Sequence, residues 1–129
     1  MAEPAKKKII WVEDDKLIGA LLTKKLIAAG FDIFCALNGH DAFEAMKAML
    51  PAIPDLVMVD LVLPDMNGFE ILEKVGADPR YASVPKLILS NIDSAADHKR
   101  AEEVGAKKFI VKALSSLDDI VKEVKAQVG

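Results

Sequence analysis

A chain of 129 residues, 52% hydrophobic and 29% charged, suits one soluble globular domain with an ordinary core and excludes a disordered one. A net charge of −3 gives no ground for direct nucleic-acid binding, and a single cysteine, Cys35, excludes an intramolecular disulfide and fits a reducing compartment. No apolar run approaches the roughly 20 residues of a membrane span, and Ile9 to Val12, behind Lys6, Lys7 and Lys8, is too short for a secretory signal. The expectation is a cytoplasmic single domain over residues 1–129, with residues 1–7 a flexible, solvated lead-in.

Short apolar runs alternate with longer amphipathic ones. The runs Ile9–Val12, Phe31–Cys35, Leu56–Val59, Leu87–Leu89 and Phe109–Val111 are β-branched or aromatic-rich, as buried parallel strands are. Between the first two, Ile18, Leu22 and Leu26 fall four apart and Gly30 closes the helix. Asn38 can cap the second helix, which carries Phe43, Met46 and Leu50, while Phe69, Leu72 and Val75 mark a short third. Ser94, with Asp97 three residues on, starts a fourth helix that has alanines but no large apolar residue between Ala95 and Glu103, so it is expected to be weakly anchored. Leu114, Leu117, Val121, Val124 and Val128 form one face of a closing helix. Strict alternation of five strands and five helices predicts an α/β fold, a parallel sheet covered on both faces.

In such folds ligands bind beyond the carboxyl ends of the strands. There the sequence places Glu13, Asp14 and Asp15 after the first strand and Asp60 after the third. Ser90 and Asn91 follow the fourth, and Lys112 the fifth. Carboxylates gathered at one point repel unless they take up protons or a cation joins them, and Mg²⁺ suits an all-oxygen set. Lys112 adds a second positive charge, Ser90 a hydroxyl donor, and Asp60 a carboxylate nucleophile capable of forming an aspartyl phosphate.

The ordered set resembles a response-regulator receiver domain of two-component signalling, of the single-domain chemotaxis-regulator kind. The likeness runs from Ile9-Ile10-Trp11-Val12-Glu13-Asp14-Asp15 through Asp60-Leu61-Val62-Leu63-Pro64-Asp65-Met66-Asn67-Gly68 and Asp78-Pro79-Arg80. It continues through Val84-Pro85 and Ala101-Glu102-Glu103-Val104-Gly105-Ala106 to Phe109-Ile110-Val111-Lys112. The resemblance implies a flavodoxin-like, doubly wound (βα)5 fold with strand order 2-1-3-4-5. It implies that Asp60 accepts the phosphoryl group, with Asp14, Asp60 and the Val62 carbonyl holding Mg²⁺ and Glu13 helping through a water. Lys112 would pair with the phosphoryl group, Ser90 would move to bond it, and Phe109 would be the aromatic switch residue. The implied partners are a sensor histidine kinase or histidine phosphotransfer protein, and a downstream effector on the surface of the fourth helix, fifth strand and fifth helix. Neither nucleic acid nor membrane is an expected partner.

Two positions depart from the receiver pattern. Ala113 follows Lys112 where the family usually has a proline, often cis; a non-proline cis bond costs about 3–4 kcal/mol, so the bond is either trans with a different loop or strained. Asn91 follows Ser90 where the family has alanine or glycine, and its amide either crowds the phosphoryl site or donates to it, altering transfer or hydrolysis. Val62 cannot hold an attacking water, so slow self-dephosphorylation is also expected. Two other readings remain: a pseudo-receiver kept for protein contacts, and an aspartyl-nucleophile phosphatase. The latter is opposed by Val62 standing where a second aspartate would act. His40 and His98 are read as surface residues, Trp11 as core and Cys35 as a buried small hydrophobe.

Overall fold

The computed structural model describes residues 5–128; most of the expected lead-in, residues 1–4, lies outside them. The chain runs β1 (Lys8–Val12), α1 (Lys16–Ala28), β2 (Asp32–Ala36), α2 (Gly39–Met49), β3 (Leu56–Val59), α3 (Gly68–Ala77), β4 (Lys86–Ser90), α4 (Ala95–Glu103), β5 (Lys108–Val111) and α5 (Leu117–Val128). Short 3₁₀ turns occupy Pro79–Tyr81 and Lys112–Leu114. The strands are parallel and ordered β2-β1-β3-β4-β5, the doubly wound order that the resemblance implied.

Successive strand side chains point to opposite faces, and both faces are covered. Ile10, Val12, Val57, Val59 and Ile88 meet Ala42, Met46, Ile71, Leu72 and Val75 of α2 and α3. Ile9, Trp11, Leu56, Met58, Leu87 and Leu89 meet Leu22, Leu26, Val121 and Val124 of α1 and α5. This explains why the strands read as unbroken apolar runs rather than alternating ones.

Local signals match the helix ends. Asp15 caps α1, its Oδ1 accepting from the N–H groups of Leu17 (3.0 Å) and Ile18 (3.1 Å). Gly30 follows that helix at φ +99°, a left-handed turn natural to glycine. Asn38, Asn67 and Ser94 cap α2, α3 and α4 by accepting from the N–H three residues on. The fourth helix buries only Ala101. Leu114 differs from its expected place: it lies in the 3₁₀ turn before α5 and is 79% exposed, while Ile120 fills the buried position on that helix. The reason is Ser116, whose hydroxyl accepts from the Asp119 N–H (3.0 Å) while the Asp119 carboxylate accepts from the Ser116 N–H (3.2 Å). This capping box starts the helix after Leu114. Cys35 is half-buried rather than buried.

Candidate functional site

Val12 and Val59 are partners in the β1–β3 register, so the residue following each strand end comes to the same place. The ladder carries on for one step: the Glu13 N–H donates to the Ala36 carbonyl at 2.9 Å, and the Asp60 N–H to the Val12 carbonyl at 3.0 Å. Glu13, Asp14 and Asp60 thereby each bring one oxygen to within 4.8 Å of the others. Glu13 is fully buried, Asp60 is 8% exposed and Asp14 is exposed.

Lys112 enters from the end of β5 and crosses to the carboxylates. Its ammonium donates to Asp60 Oδ2 at 2.8 Å and to Glu13 Oε1. The other Asp60 oxygen accepts from the Leu61 N–H at 2.7 Å. Burial works to raise the Asp60 carboxyl, but the Lys112 ammonium, Glu13 and the Leu61 N–H outweigh it and hold the group below the usual carboxylate range. Glu13 goes the other way. Burial pushes it up to about 7, with Asp60 adding to the rise and Lys112 opposing it. For Lys112 burial works downward, and the two carboxylates overcome it and raise the ammonium above its ordinary value. The site therefore holds an ionised Asp60, a charged Lys112 and a Glu13 balanced between its two forms at neutral pH.

Ser90 ends β4 and is buried; its hydroxyl oxygen accepts from the Ile92 N–H at 3.2 Å. Val62 stands in the loop after Asp60 with its side chain 60% exposed. That loop is set by Gly68, the first residue of α3, whose N–H donates to the Leu61 carbonyl at 3.0 Å. A Cβ at Gly68 would collide with the Asp60 carbonyl oxygen, so only glycine lets α3 approach the Asp60 backbone this closely.

Residues 9–125 match the response regulator receiver domain family. The chain belongs to this family. Among solved structures, the non-phosphorylated HemR receiver domain of Leptospira biflexa is 30% identical at a TM-score of 0.83, the alignment covering 96% of this chain and 95% of that one. The Vibrio cholerae chemotaxis protein CheY4 is 25% identical at 0.85, covering 95% of this chain and 98% of that one. A CheY-like receiver domain protein of Methanospirillum hungatei shares the fold at 22% identity and a TM-score of 0.85, over 96% of this chain and 94% of that one.

Three features of this receiver were not legible in the sequence. Asp65, in the loop after Asp60, bonds the first two N–H groups of α2, from Gly39 and His40, at 2.9 Å each. Burial works to raise its carboxyl, but these N–H donors prevail and lower it. The Asp60 loop is thus tied to a neighbouring helix by a carboxylate that sequence reading placed only within a motif. Second, Phe109 is half-buried against the α2–α3 side of the core and stacks on His98 of α4, with ring centroids 4.2 Å apart and planes 25° apart. His98 is exposed, as expected, and its Nε2 also lies 2.5 Å from Asp93 Oδ1. Third, the two departures from the receiver pattern meet: the Ala113 N–H donates to Asn91 Oδ1 at 2.9 Å. The Lys112–Ala113 bond is trans.

Proposed function

We propose that this receiver is a phosphoacceptor switch. Asp60 takes a phosphoryl group in a Mg²⁺-dependent step, and the surface of α4, β5 and α5 shifts in population to engage an effector. The observation that carries the reading is the convergence of Glu13, Asp14 and Asp60 on one point with the Lys112 ammonium bonded into it. A divalent cation fits this place. The donors are all oxygen, and Glu13 Oε2 is buried without a hydrogen-bond partner. Asp14, Asp60 and the Val62 carbonyl are the residues to hold Mg²⁺, with Glu13 acting through a water. Bound there, the ion supplies charge neutralisation for the phosphoryl oxygens.

The chain's own groups divide the remaining work. Asp60, held ionised, attacks phosphorus. The bond from phosphorus to its donor breaks, the P–N bond of a phosphohistidine or the P–O bond of an acyl phosphate, and the electron pair leaves with the donor. Lys112 keeps its proton and turns its ammonium to the transferred oxygens. The Ser90 hydroxyl hydrogen, unused in its contact with Ile92, is free to donate to them. Phe109 follows Ser90 as the switch residue, leaving His98. The donor is a sensor histidine kinase or a histidine phosphotransfer protein. The output is binding rather than turnover, in a single domain of residues 1–129 working in the cytoplasm without membrane or nucleic-acid contact. No helix among the described residues is long and apolar enough to cross a membrane.

Incubation with Mg²⁺ and acetyl phosphate, read by intact mass, tests the reading. Wild type is expected to gain one phosphoryl group and Asp60→Asn none. No gain in the wild type, with no Mg²⁺ bound, would replace this reading with that of a pseudo-receiver.

A further inference from the structure

The β4–β5 ladder ends at the pair Ser90 and Val111. One residue further on each side stand Asn91 and Lys112, beyond the reach of regular sheet pairing. Lys112 must nevertheless send a four-carbon side chain to Asp60 and Glu13, and where its ammonium arrives depends on how firmly the backbone at its base is held. The Lys112 carbonyl accepts from the Ser115 N–H in the 3₁₀ turn at 3.3 Å, a long bond that by itself constrains the turn weakly. A hydrogen bond that joins this turn back to the end of β4 runs from the Ala113 N–H to Asn91 Oδ1, 2.9 Å long and bridging positions far apart in the chain. In effect the Asn91 side chain supplies the ladder's next rung after the backbone has run out of them.

We propose that Asn91 is a positioning residue for Lys112: by holding the Ala113 N–H, its carboxamide oxygen fixes the backbone from which the ammonium reaches Asp60. Asn91 and Ala113 are then a matched acceptor and donor. A proline at 113 would have no N–H to give, and an alanine at 91 no oxygen to receive it. The carboxamide of Asn91 works on the loop, not on the phosphoryl group, which replaces both sequence-based expectations of crowding and of direct donation. The kinetic consequence rests on Asp60 being the phosphoacceptor; the structural one does not.

The test uses the full chain and three variants. Asn91→Leu keeps the approximate shape and removes the acceptor, Asn91→Asp restores an oxygen, and Ala113→Pro removes the donor. Asn91 is exposed, so Asn91→Leu is expected to fold, and its amide spectrum checks this. The first readout is the ¹⁵N–¹H signal of the Lys112 ammonium without Mg²⁺, which persists only while the group is held by its carboxylates. It is expected to be lost in Asn91→Leu and Ala113→Pro and kept in Asn91→Asp. The second is the rate of Asp60 phosphorylation by acetyl phosphate at saturating Mg²⁺. It is expected to fall roughly tenfold in Asn91→Leu, with no further fall when Asn91→Leu is combined with Ala113→Pro. An Asn91→Leu variant with an unchanged ammonium signal overturns the proposal, whatever the kinetics. A wild type that takes no phosphoryl group but whose ammonium signal depends on Asn91 defeats the phosphoacceptor reading and leaves the positioning role standing.

Discussion

Glu13 and Asp60 sit side by side in the same pocket and respond oppositely to it. Asp60 has the ammonium at 2.8 Å and a backbone N–H at 2.7 Å, while one Glu13 oxygen has no partner at all. The folded Glu13 carboxyl titrates near 7, above its ordinary 4.5. Between those values the unfolded chain has released this proton and the folded chain retains it, so the folded state binds more protons and stability falls as pH rises through the window. Asp60, whose carboxyl is depressed, contributes stability at neutral pH that is lost only as pH falls through the acid range. Metal-free wild type is therefore expected to lose a few kcal/mol between about pH 5 and 7.5 relative to Glu13→Gln, measured by urea unfolding. Parallel pH profiles of the two proteins would show that burial does not tax the Glu13 charge. The identity of these residues as site groups was legible in the sequence, because each follows an apolar strand. Their opposite protonation was not, because it depends on which oxygen Lys112 reaches.

At the scale of elements, α4 stands apart from the other helices. It buries only Ala101, and it is held to the body further by the His98–Phe109 stack and an ion pair from Arg100 to Glu73 of α3. Exposed ion pairs contribute little, and a helix with one buried alanine lacks the apolar anchor that α1, α3 and α5 each have. Native-state hydrogen exchange is expected to show α4 opening at lower free energy than every other helix, with α1 and α3 among the most protected. Equal protection of α4 and α3 would contradict this. The absence of large apolar residues between Ala95 and Glu103 already marked the weakness in the sequence. The ring of Phe109 resting on His98 could not be read there. Two residues eleven positions apart on different elements become neighbours only when the crossover folds α4 back along β5.

For the whole molecule, the sheet is both the core and the platform on which the site is assembled. Its order places β1 and β3 together at the centre, so the carboxylates converge where the crossovers part, and the cost of gathering them is borne by the surrounding apolar core. Relief of that charge by a cation should appear as global stability. Mg²⁺ at one hundred times its dissociation constant is expected to raise the unfolding free energy at pH 7.5 by about 2.7 kcal/mol, as any ligand exclusive to the folded state does. Asp14→Asn, which removes a proposed ligand on the exposed side, is expected to shift that gain to higher Mg²⁺. Identical Mg²⁺ titrations of stability for wild type and variant would exclude Asp14 from the set. The sequence by itself determined the alternation of strands and helices, the covered parallel sheet and the carboxylates at its strand ends. Those follow from apolar periodicity and from caps that act within a few residues. Only the tertiary structure decided that Asp65 ties the Asp60 loop to α2 and that Asn91 receives the Ala113 N–H. Each of these depends on the distance between loops that the chain brings together from 22 or more positions apart, a quantity that local pattern does not carry.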